Sequence, residues 1–170
     1  MPARMKMSDP SYRSMKGTKI PVVEDDRGNR IKIISGRYHN VYGSLNEYFD
    51  YSPASLIDPY YLDIEINEES DFETDIPSGY TGIIFVISGR PVYSDTIMKE
   101  GNAYVFAEDG SHIKLSSVGP SHILLLGGKP LNEPVAWYGP VVMNSREEIE
   151  EAIEQLRTDK FVKNKNPVWQ

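Results

Sequence analysis

Apolar and polar positions alternate in short runs along most of the chain, and this pattern predicts β-strands. In YYLDIEI (60–66), positions 62, 64 and 66 are apolar and positions 63 and 65 are acidic, which is typical of a half-buried strand. TGIIFVISG (81–89) is apolar on both faces and predicts a central strand. KIPVVEDDRGNRIKIISG (19–36) predicts two strands around a turn at 26–29. Three more strands are predicted within NAYVFAEDGSHIKL (102–115) and SHILLLGG (121–128), so the pattern indicates an all-β sandwich or barrel.

Towards the C-terminus the apolar spacing changes from that of a strand to that of a helix. The residues that recur at helical spacing are Ile149, Ala152, Ile153 and Leu156. Asn144 and Ser145 are both suitable N-caps, because a glutamate follows each of them after three residues. We predict one amphipathic helix that packs on the outside of the β-structure. The predicted organisation is an N-terminal arm (1–19), a barrel (20–143), and a C-terminal helix and tail (144–170).

Composition narrows the classes of protein and partner. The chain has 170 residues, which favours one domain with terminal extensions. It contains no cysteine, which excludes disulfides and thiolate metal sites. A formal net charge of -7 argues against direct binding to nucleic acid, whose phosphates require clustered lysine and arginine. The sequence has no apolar stretch long enough for a signal peptide or a membrane span. We therefore expect a soluble protein that does not bind membranes and is cytoplasmic, or also nuclear in a eukaryote.

One long segment carries a family resemblance. HILLLGGKPLNEPVAWYGPVVMNSREEIEEAI (122–153) resembles the C-terminal signature of the pirin family, in which a strand and a Gly-Lys/Glu-Pro-Leu turn lead into a terminal helix. IPVVEDDRGNRIKIISG, YYLDIEI and IPSGYTGIIFVISG follow the second half of that family in the same order. Residues 37–60 match poorly and are rich in tyrosine. The resemblance implies a single cupin barrel, a double-stranded β-helix or jelly roll, with one C-terminal α-helix.

The resemblance does not imply a metal site in this chain. Pirins have two barrels, and three histidines and a glutamate bind the metal in the first, whereas this chain resembles the second. Alignment on the turn at Gly89 places Asp75 and Pro77 at the two positions of a His-x-His pair, and Thr81 at the position of the glutamate. Proline offers no ligand atom, so we predict no metal site. His112 lies at the position of the third histidine, and with Asp75 it is a weak candidate for a general base.

The same alignment predicts which side chains point into the barrel. It turns Ile83, Phe85 and Ile87 inward and so predicts a dry interior. The predicted pocket residues are Thr81, Ile83, Phe85, Tyr104 and His112. The carboxylates between positions 65 and 75 are expected to form a solvated hairpin loop rather than a calcium site.

Aromatic residues are the remaining signal for a binding surface. They crowd the poorly matching segment and the residues before the helix, more than a core requires. The predicted interface residues are Tyr48, Phe49, Tyr51, Trp137 and Tyr138. A lone second barrel would expose the face that a first barrel covers, so we expect it to self-associate or to pair with another cupin domain.

Three functions remain open at this point. The favoured one is a binding or assembly module without a cofactor, which pairs with a metal-bearing cupin half or with itself. The alternative implied by the resemblance is a cupin dioxygenase of the quercetinase type, which would need a transition metal such as iron and would use His112 and Asp75. The third is a regulator, since pirins of nucleated cells are associated with transcription-factor complexes. The acidic charge would direct such a regulator to a protein rather than to DNA.

Overall fold

The computed structural model describes residues 1–8, 14–45 and 58–162. Contacts divide the chain into two units, one formed by Lys16–Pro130 and the other by Met1–Met15 together with Leu131–Gln170. Within the described residues the strands are β1 (Val22–Glu24), β2 (Arg30–Ser35), β3 (Arg37–Tyr38), β4 (Val41–Tyr42), β5 (Tyr60–Ile66), β6 (Ser70–Asp75), β7 (Thr81–Ser88), β8 (Pro91–Tyr93), β9 (Thr96–Ile97), β10 (Ala103–Val105), β11 (His112–Ser117), β12 (Ser121–Gly128), β13 (Ala136–Tyr138) and β14 (Val141–Met143). The α-helix is α1 (Arg146–Arg157), and short 3₁₀ turns lie at Ala3–Met5 and Gly17–Lys19. The predicted division at residues 19 and 143 stays a prediction.

Most strands of the unit Lys16–Pro130 form two antiparallel sheets, and β3 and β4 form a separate antiparallel pair. The larger sheet has the order β1-β2-β5-β12-β7-β10, and the smaller has the order β6-β11-β8-β9. Within the described residues these two sheets share no strand, so the predicted barrel is an open jelly roll rather than a closed barrel. The predicted all-β fold with one C-terminal α-helix is confirmed.

Apolar side chains, mostly aliphatic, from both sheets form the core. On β5, positions 62, 64 and 66 are buried and positions 61, 63 and 65 face outward, as the alternation predicts. The fully buried side chains of the larger sheet include Ile31, Ile33, Leu62, Ile64, Ile84, Val86, Ile123 and Leu125, and those of the smaller sheet include Phe72 and Leu115. This burial is the main stabilising contribution to the fold.

Strand β7 buries the face opposite to the one predicted. Ile84 and Val86 are fully buried in the core. Ile83 and Phe85 lie on the other face and are only half-buried, and Ile87 is exposed. The inward orientation predicted for Ile83, Phe85 and Ile87 is therefore wrong, although the prediction that β7 is an inner strand, between β12 and β10, is confirmed.

A β-bulge explains this exchange of faces. His122 of β12 is paired with Ser88, but the next residue, Ile123, is paired with Val86. Ile87 is thus an extra residue on β7, and one extra residue shifts all the side chains beyond it to the other face. If alternate residues are counted back from the turn at Gly89, the count passes through the bulge. The residues before Ile87 are then assigned to the wrong face.

The unit that contains α1 also contains the two-stranded ribbon β13–β14. The ribbon strands pair antiparallel with each other, and their register joins Ala136 to Met143 and Tyr138 to Val141. The ribbon and α1 contact each other within this unit.

Helix α1 begins with a capping box in the Ser145 register. The Ser145 side chain accepts a hydrogen bond from Glu148 N at 3.2 Å, and Glu148 Oε2 accepts one from Ser145 N at 3.0 Å. Ile149 and Ala152 are buried, but Leu156 is exposed, contrary to the predicted apolar stripe. None of the helices within the described ranges has the length and apolar composition needed to cross a bilayer.

Candidate functional site

The two predicted catalytic candidates lie next to each other, but on the outside of the jelly roll. His112 of β11 is directly opposite Asp75 of β6, and its Nδ1 lies 3.0 Å from Asp75 Oδ1. Both side chains are exposed, whereas Thr74 and Ile113 on the same two strands are buried. Because neighbouring residues in a strand point to opposite faces, the pair faces away from the interior.

The interior does not fit the transition metal of a cupin site. The facing side chains there include Phe72, Ile84, Val86 and Leu115, which have no ligand atom. Transition metals in proteins are held by imidazole, thiolate or carboxylate groups. Among the residues that the structure describes, no histidine, aspartate or glutamate is buried. The part of the interior formed by the described residues therefore offers no donor set for such an ion.

A small cavity lies at one end of the jelly roll. Its volume is about 90 Å³, and its lining includes Tyr80, Tyr93, Phe106 and His112. The rings of Tyr93 and Phe106 meet edge to face with centroids 4.8 Å apart. Drug-sized ligands require about 300 Å³ or more, so this cavity has room only for a very small molecule.

The predicted pocket residues do not form one site. His112 lines the end cavity, whereas Ile83 and Phe85 lie on the outward face of β7. The Thr81 hydroxyl donates to Glu108 Oε1 at 2.7 Å, and the Tyr104 hydroxyl accepts from Lys99 N at 2.7 Å. Tyr104 packs partly against the core. Within the described residues these five side chains contact different partners, and any role they have in ligand binding stays a prediction.

Burial raises the pKa values of Tyr38, Tyr60 and Tyr80, and those of Tyr38 and Tyr80 reach about 12. The Tyr80 hydroxyl donates to Asp58 Oδ2 at 2.7 Å, and burial, followed by this hydrogen bond, raises the pKa of Tyr80 to about 12. Burial also raises the pKa of Tyr38 to about 12, and the Tyr38 ring stacks on Phe72 at 5.9 Å. Both side chains are therefore harder to ionise in the folded chain than in the unfolded one.

These raised pKa values predict a loss of stability at high pH. Below the unfolded pKa of 10.0 both states keep the phenol protons, so the contribution to stability is complete. As the pH rises from 10.0 towards about 12, the unfolded state loses protons first and the free energy of unfolding falls. Urea unfolding at a series of pH values should show this fall. Tyr80→Phe should make it smaller, and the exposed Tyr138→Phe should leave it unchanged; an equal fall in both variants would contradict the assignment.

A charged cluster lies on the outward face of the larger sheet. Asp63 and Glu65 are on β5, His122 is on β12, and Lys32 and Arg30 are on β2. His122 Nε2 lies 2.7 Å from Asp63 Oδ1, Lys32 Nζ lies 3.3 Å from Asp63 Oδ2, and an Arg30 nitrogen lies 3.0 Å from Glu65 Oε1. Sequence reasoning selected His112 and missed this cluster. The two acids at alternate positions of a predicted strand were visible, but the pairing of β5 with β12 was not.

The ribbon β13–β14 presents two aromatic side chains to solvent. Trp137 is 77% exposed and Tyr138 is 67% exposed. Trp137 Nε1 donates a hydrogen bond to Gly139 O at 2.6 Å, which fixes the indole against the turn of the ribbon. Of the other predicted interface residues, Tyr48, Phe49 and Tyr51 lie outside the described residues. Large exposed aromatic groups are enriched at protein–protein interfaces.

A groove adjoins the ribbon within the same unit. Its volume is about 630 Å³, and its lining includes Leu131–Val135, Pro140–Asn144, Lys6 and Phe161. Glu133 joins two parts of this unit, because its Oε2 accepts hydrogen bonds from Ala3 N at 2.7 Å and from Asn144 Nδ2 at 3.3 Å. The groove is mainly apolar, so it extends the apolar surface of the ribbon.

Comparison with known proteins gives relatives along the whole chain. A predicted quercetin 2,3-dioxygenase of Thermoplasma acidophilum is 43% identical over 170 residues, which are 100% of this chain and 65% of that protein. Human pirin is 32% identical over 170 residues, covering 96% of this chain and 55% of human pirin. A crystal structure of quercetin 2,3-dioxygenase from Acinetobacter baumannii is 27% identical and superposes with a TM-score of 0.84, covering 95% of this chain and 54% of that one.

These relatives are longer than this chain, which spans between about half and two thirds of their length. The family of the pirin C-terminal cupin domain matches residues 61–162, which include the core strands from β5 to β12, the ribbon and α1. The match agrees with the two-sheet jelly roll and with the resemblance found in the sequence. This chain belongs to the pirin family, and its residues 61–162 match the C-terminal cupin domain of that family.

Proposed function

We propose that this chain is a binding and assembly module that pairs with a second cupin domain through the ribbon β13–β14. The exposure of Trp137 and Tyr138 is the observation that carries this proposal. Burial of their apolar surface against a partner is favourable, because it removes that surface from water. Aromatic side chains of this size dominate the binding energy of many interfaces. Val142 of the ribbon and Val135, which directly precedes it, are also exposed, so the aromatic pair belongs to a larger apolar surface.

The geometry of Trp137 favours association. Its indole is already held by the hydrogen bond to Gly139 O, so less side-chain entropy is lost when a partner binds. The neighbouring groove of about 630 Å³ could receive an apolar group from the partner. Lys6 Nζ donates to Val142 O at 3.3 Å at the edge of this groove and supplies a cation there.

Two observations support a second cupin domain as the partner. The relatives are longer than this chain, and the described interior of the jelly roll lacks metal ligands. The Thermoplasma and human proteins each contain a part that this chain does not cover. The described interior has no donor set for a metal, so the chemistry of such an assembly would come from the other domain. A regulatory protein, as a third kind of partner, would use the same ribbon.

Sedimentation analysis tests the proposal directly. The chain is measured alone and after mixing with the part of the Thermoplasma acidophilum relative that lies outside the match. We expect either a dimer of this chain or a complex with the second domain. The dissociation constant of either species should rise by at least about thirtyfold in the double variant Trp137→Ala/Tyr138→Ala, because aromatic residues at the centre of an interface contribute about 2 kcal/mol or more. Val118→Ser, at an equally exposed apolar residue of the other unit, is the matched control and should have no effect.

Two results would contradict assembly through the ribbon. One is a monomer that does not bind the second domain. The other is a complex with the same dissociation constant in the double aromatic variant, which would place the interface elsewhere. Far-UV circular dichroism of the variant establishes that the fold is retained, so that a loss of binding is not a loss of structure.

A second candidate function is a dioxygenase of the quercetinase type, with iron as its metal. It is supported by the names of the Thermoplasma and Acinetobacter relatives and by the contact between His112 and Asp75. The outward orientation of that pair argues against it. Oxygen consumption with quercetin separates the two proposals. Turnover by this chain alone that is lost in His112→Ala would favour the dioxygenase, whereas turnover only in the complex would favour the assembly module.

A further inference from the structure

Three polar side chains converge on the outward face of the larger sheet. The register places His122 opposite Glu65, and Leu124, two residues further along β12, opposite Asp63. Residues two apart in a strand share a face, so Asp63, Glu65 and His122 all point to the same side. One potential ligand atom from each of the three lies within 4.8 Å of the others. His122 Nε2 lies 2.7 Å from Asp63 Oδ1.

The ligand atoms form a chemically coherent set. One imidazole nitrogen and two carboxylate oxygens are typical ligands of Zn²⁺ and related first-row divalent ions. Calcium and magnesium prefer an all-oxygen shell, so the imidazole disfavours them. The Asp63 side chain is 19% exposed and the His122 side chain 31% exposed. Their position leaves the remaining coordination sites open to water or another ligand.

His112, on the smaller sheet, also lies near two carboxylates but does not bring their oxygens together at one nitrogen. Asp75 Oδ1 lies 3.0 Å from Nδ1, while Glu73 Oε2 lies 3.9 Å from Nε2. The two acids therefore approach opposite nitrogens of one ring. An ion bound to either nitrogen would have only one of these carboxylates beside it, so His112 does not form an equivalent site.

A lysine ammonium group lies close to both carboxylates of the converging set. Lys32 Nζ is 3.3 Å from Asp63 Oδ2 and 4.0 Å from Glu65 Oε1. Arg30 adds a second cation, 3.0 Å from Glu65. The two carboxylates thus attract positive charge to this part of the sheet, and Lys32 supplies it when no metal ion is bound.

We infer that Asp63, Glu65 and His122 form a site for a divalent transition-metal ion on the outer face of the larger sheet, and that Lys32 competes with the ion. Binding would break the hydrogen bond between His122 and Asp63 and replace it with two bonds to the ion. Lys32 would turn away into solvent, since like charges repel at this distance. This site is separate from the cupin interior and does not depend on assembly through the ribbon.

Titration of the chain with Zn²⁺ by calorimetry, and with Co²⁺ by visible absorption, tests this inference. We expect one equivalent of metal to bind, and His122→Asn and Glu65→Gln each to weaken binding by at least about tenfold. Glu65→Gln leaves the hydrogen bond between His122 and Asp63 intact, so it remains informative if His122→Asn folds poorly. Lys32→Met should tighten binding by about tenfold, because it removes a cation beside the ion. His112→Asn is the matched control and should bind like the unaltered chain.

Three outcomes would overturn the inference. The first is no saturable binding of either metal. The second is binding that His122→Asn and Glu65→Gln leave unchanged, or that His112→Asn abolishes, which would place the metal elsewhere. The third is unchanged or weaker binding in Lys32→Met, which would mean that Lys32 does not compete with the ion.

Discussion

Phe72→Ala is expected to lower the free energy of unfolding by about 3–5 kcal/mol, the usual cost of removing a large aromatic side chain from a core. Phe72 has no exposed surface and lies in the core with side chains from both sheets. Its ring also stacks on Tyr38. Truncation removes these contacts and leaves a cavity that the rigid strands cannot close. Urea unfolding followed by circular dichroism would measure the loss.

Phe161→Ala is the matched control for this prediction. Phe161 is 42% exposed, so the same truncation should cost less than about 1 kcal/mol. A loss below about 1 kcal/mol for Phe72→Ala as well would contradict a tightly packed interior. The measurement therefore tests how tightly the two sheets pack around Phe72.

Gly89→Ala is expected to cost about 3 kcal/mol or more, because strain at a positive φ and steric overlap act together. Gly89 has a φ of +86°, which favours glycine. An added Cβ would lie 2.5 Å from Pro120 O and 2.6 Å from Ser121 Cα. Both of these are backbone atoms, so the overlap can be relieved only by moving the turn before β12. A fall in the midpoint of thermal unfolding would report the effect.

Gly79→Ala separates the two contributions. Gly79 has a similar φ of +80°, but an added Cβ there would have no neighbour within 4 Å. This control should cost only about 1 kcal/mol, the conformational part of the effect. Equal losses in the two variants would mean that Pro120 and Ser121 leave enough space for an added Cβ at position 89.

Local pattern was sufficient to predict most of the elements. The alternation in 60–66 correctly assigned the buried face of β5, and the spacing of Ile149 and Ala152 correctly predicted the buried side of α1. Both assignments depend on the period of a single element, 2 for a strand and 3.6 for a helix, which neighbouring residues in the sequence define. The family was also identified from a contiguous segment, 122–153, and residues 61–162 match it.

The face of β7 could not be predicted in the same way. Its side chains were assigned by counting from Gly89, and the bulge at Ile87 reversed the assignment. Whether a strand contains an extra residue is decided by the partner strand, because the bulge exists only relative to the hydrogen bonds of β12. No property of residues 81–89 alone indicates it.

The same distinction between local sequence pattern and strand pairing applies to the candidate sites. The sequence by itself determined that Trp137 and Tyr138 belong to a short, Pro-flanked segment before a capped helix, and that Asp63 and Glu65 share one face of a strand. Only the tertiary structure decided that His122, more than fifty residues further along the chain, joins those two carboxylates, and that His112 and Asp75 meet on the outside. The physical reason is that alternation fixes the direction of a side chain within its own strand, whereas its neighbours depend on strand order and register, which the packing of the whole core selects.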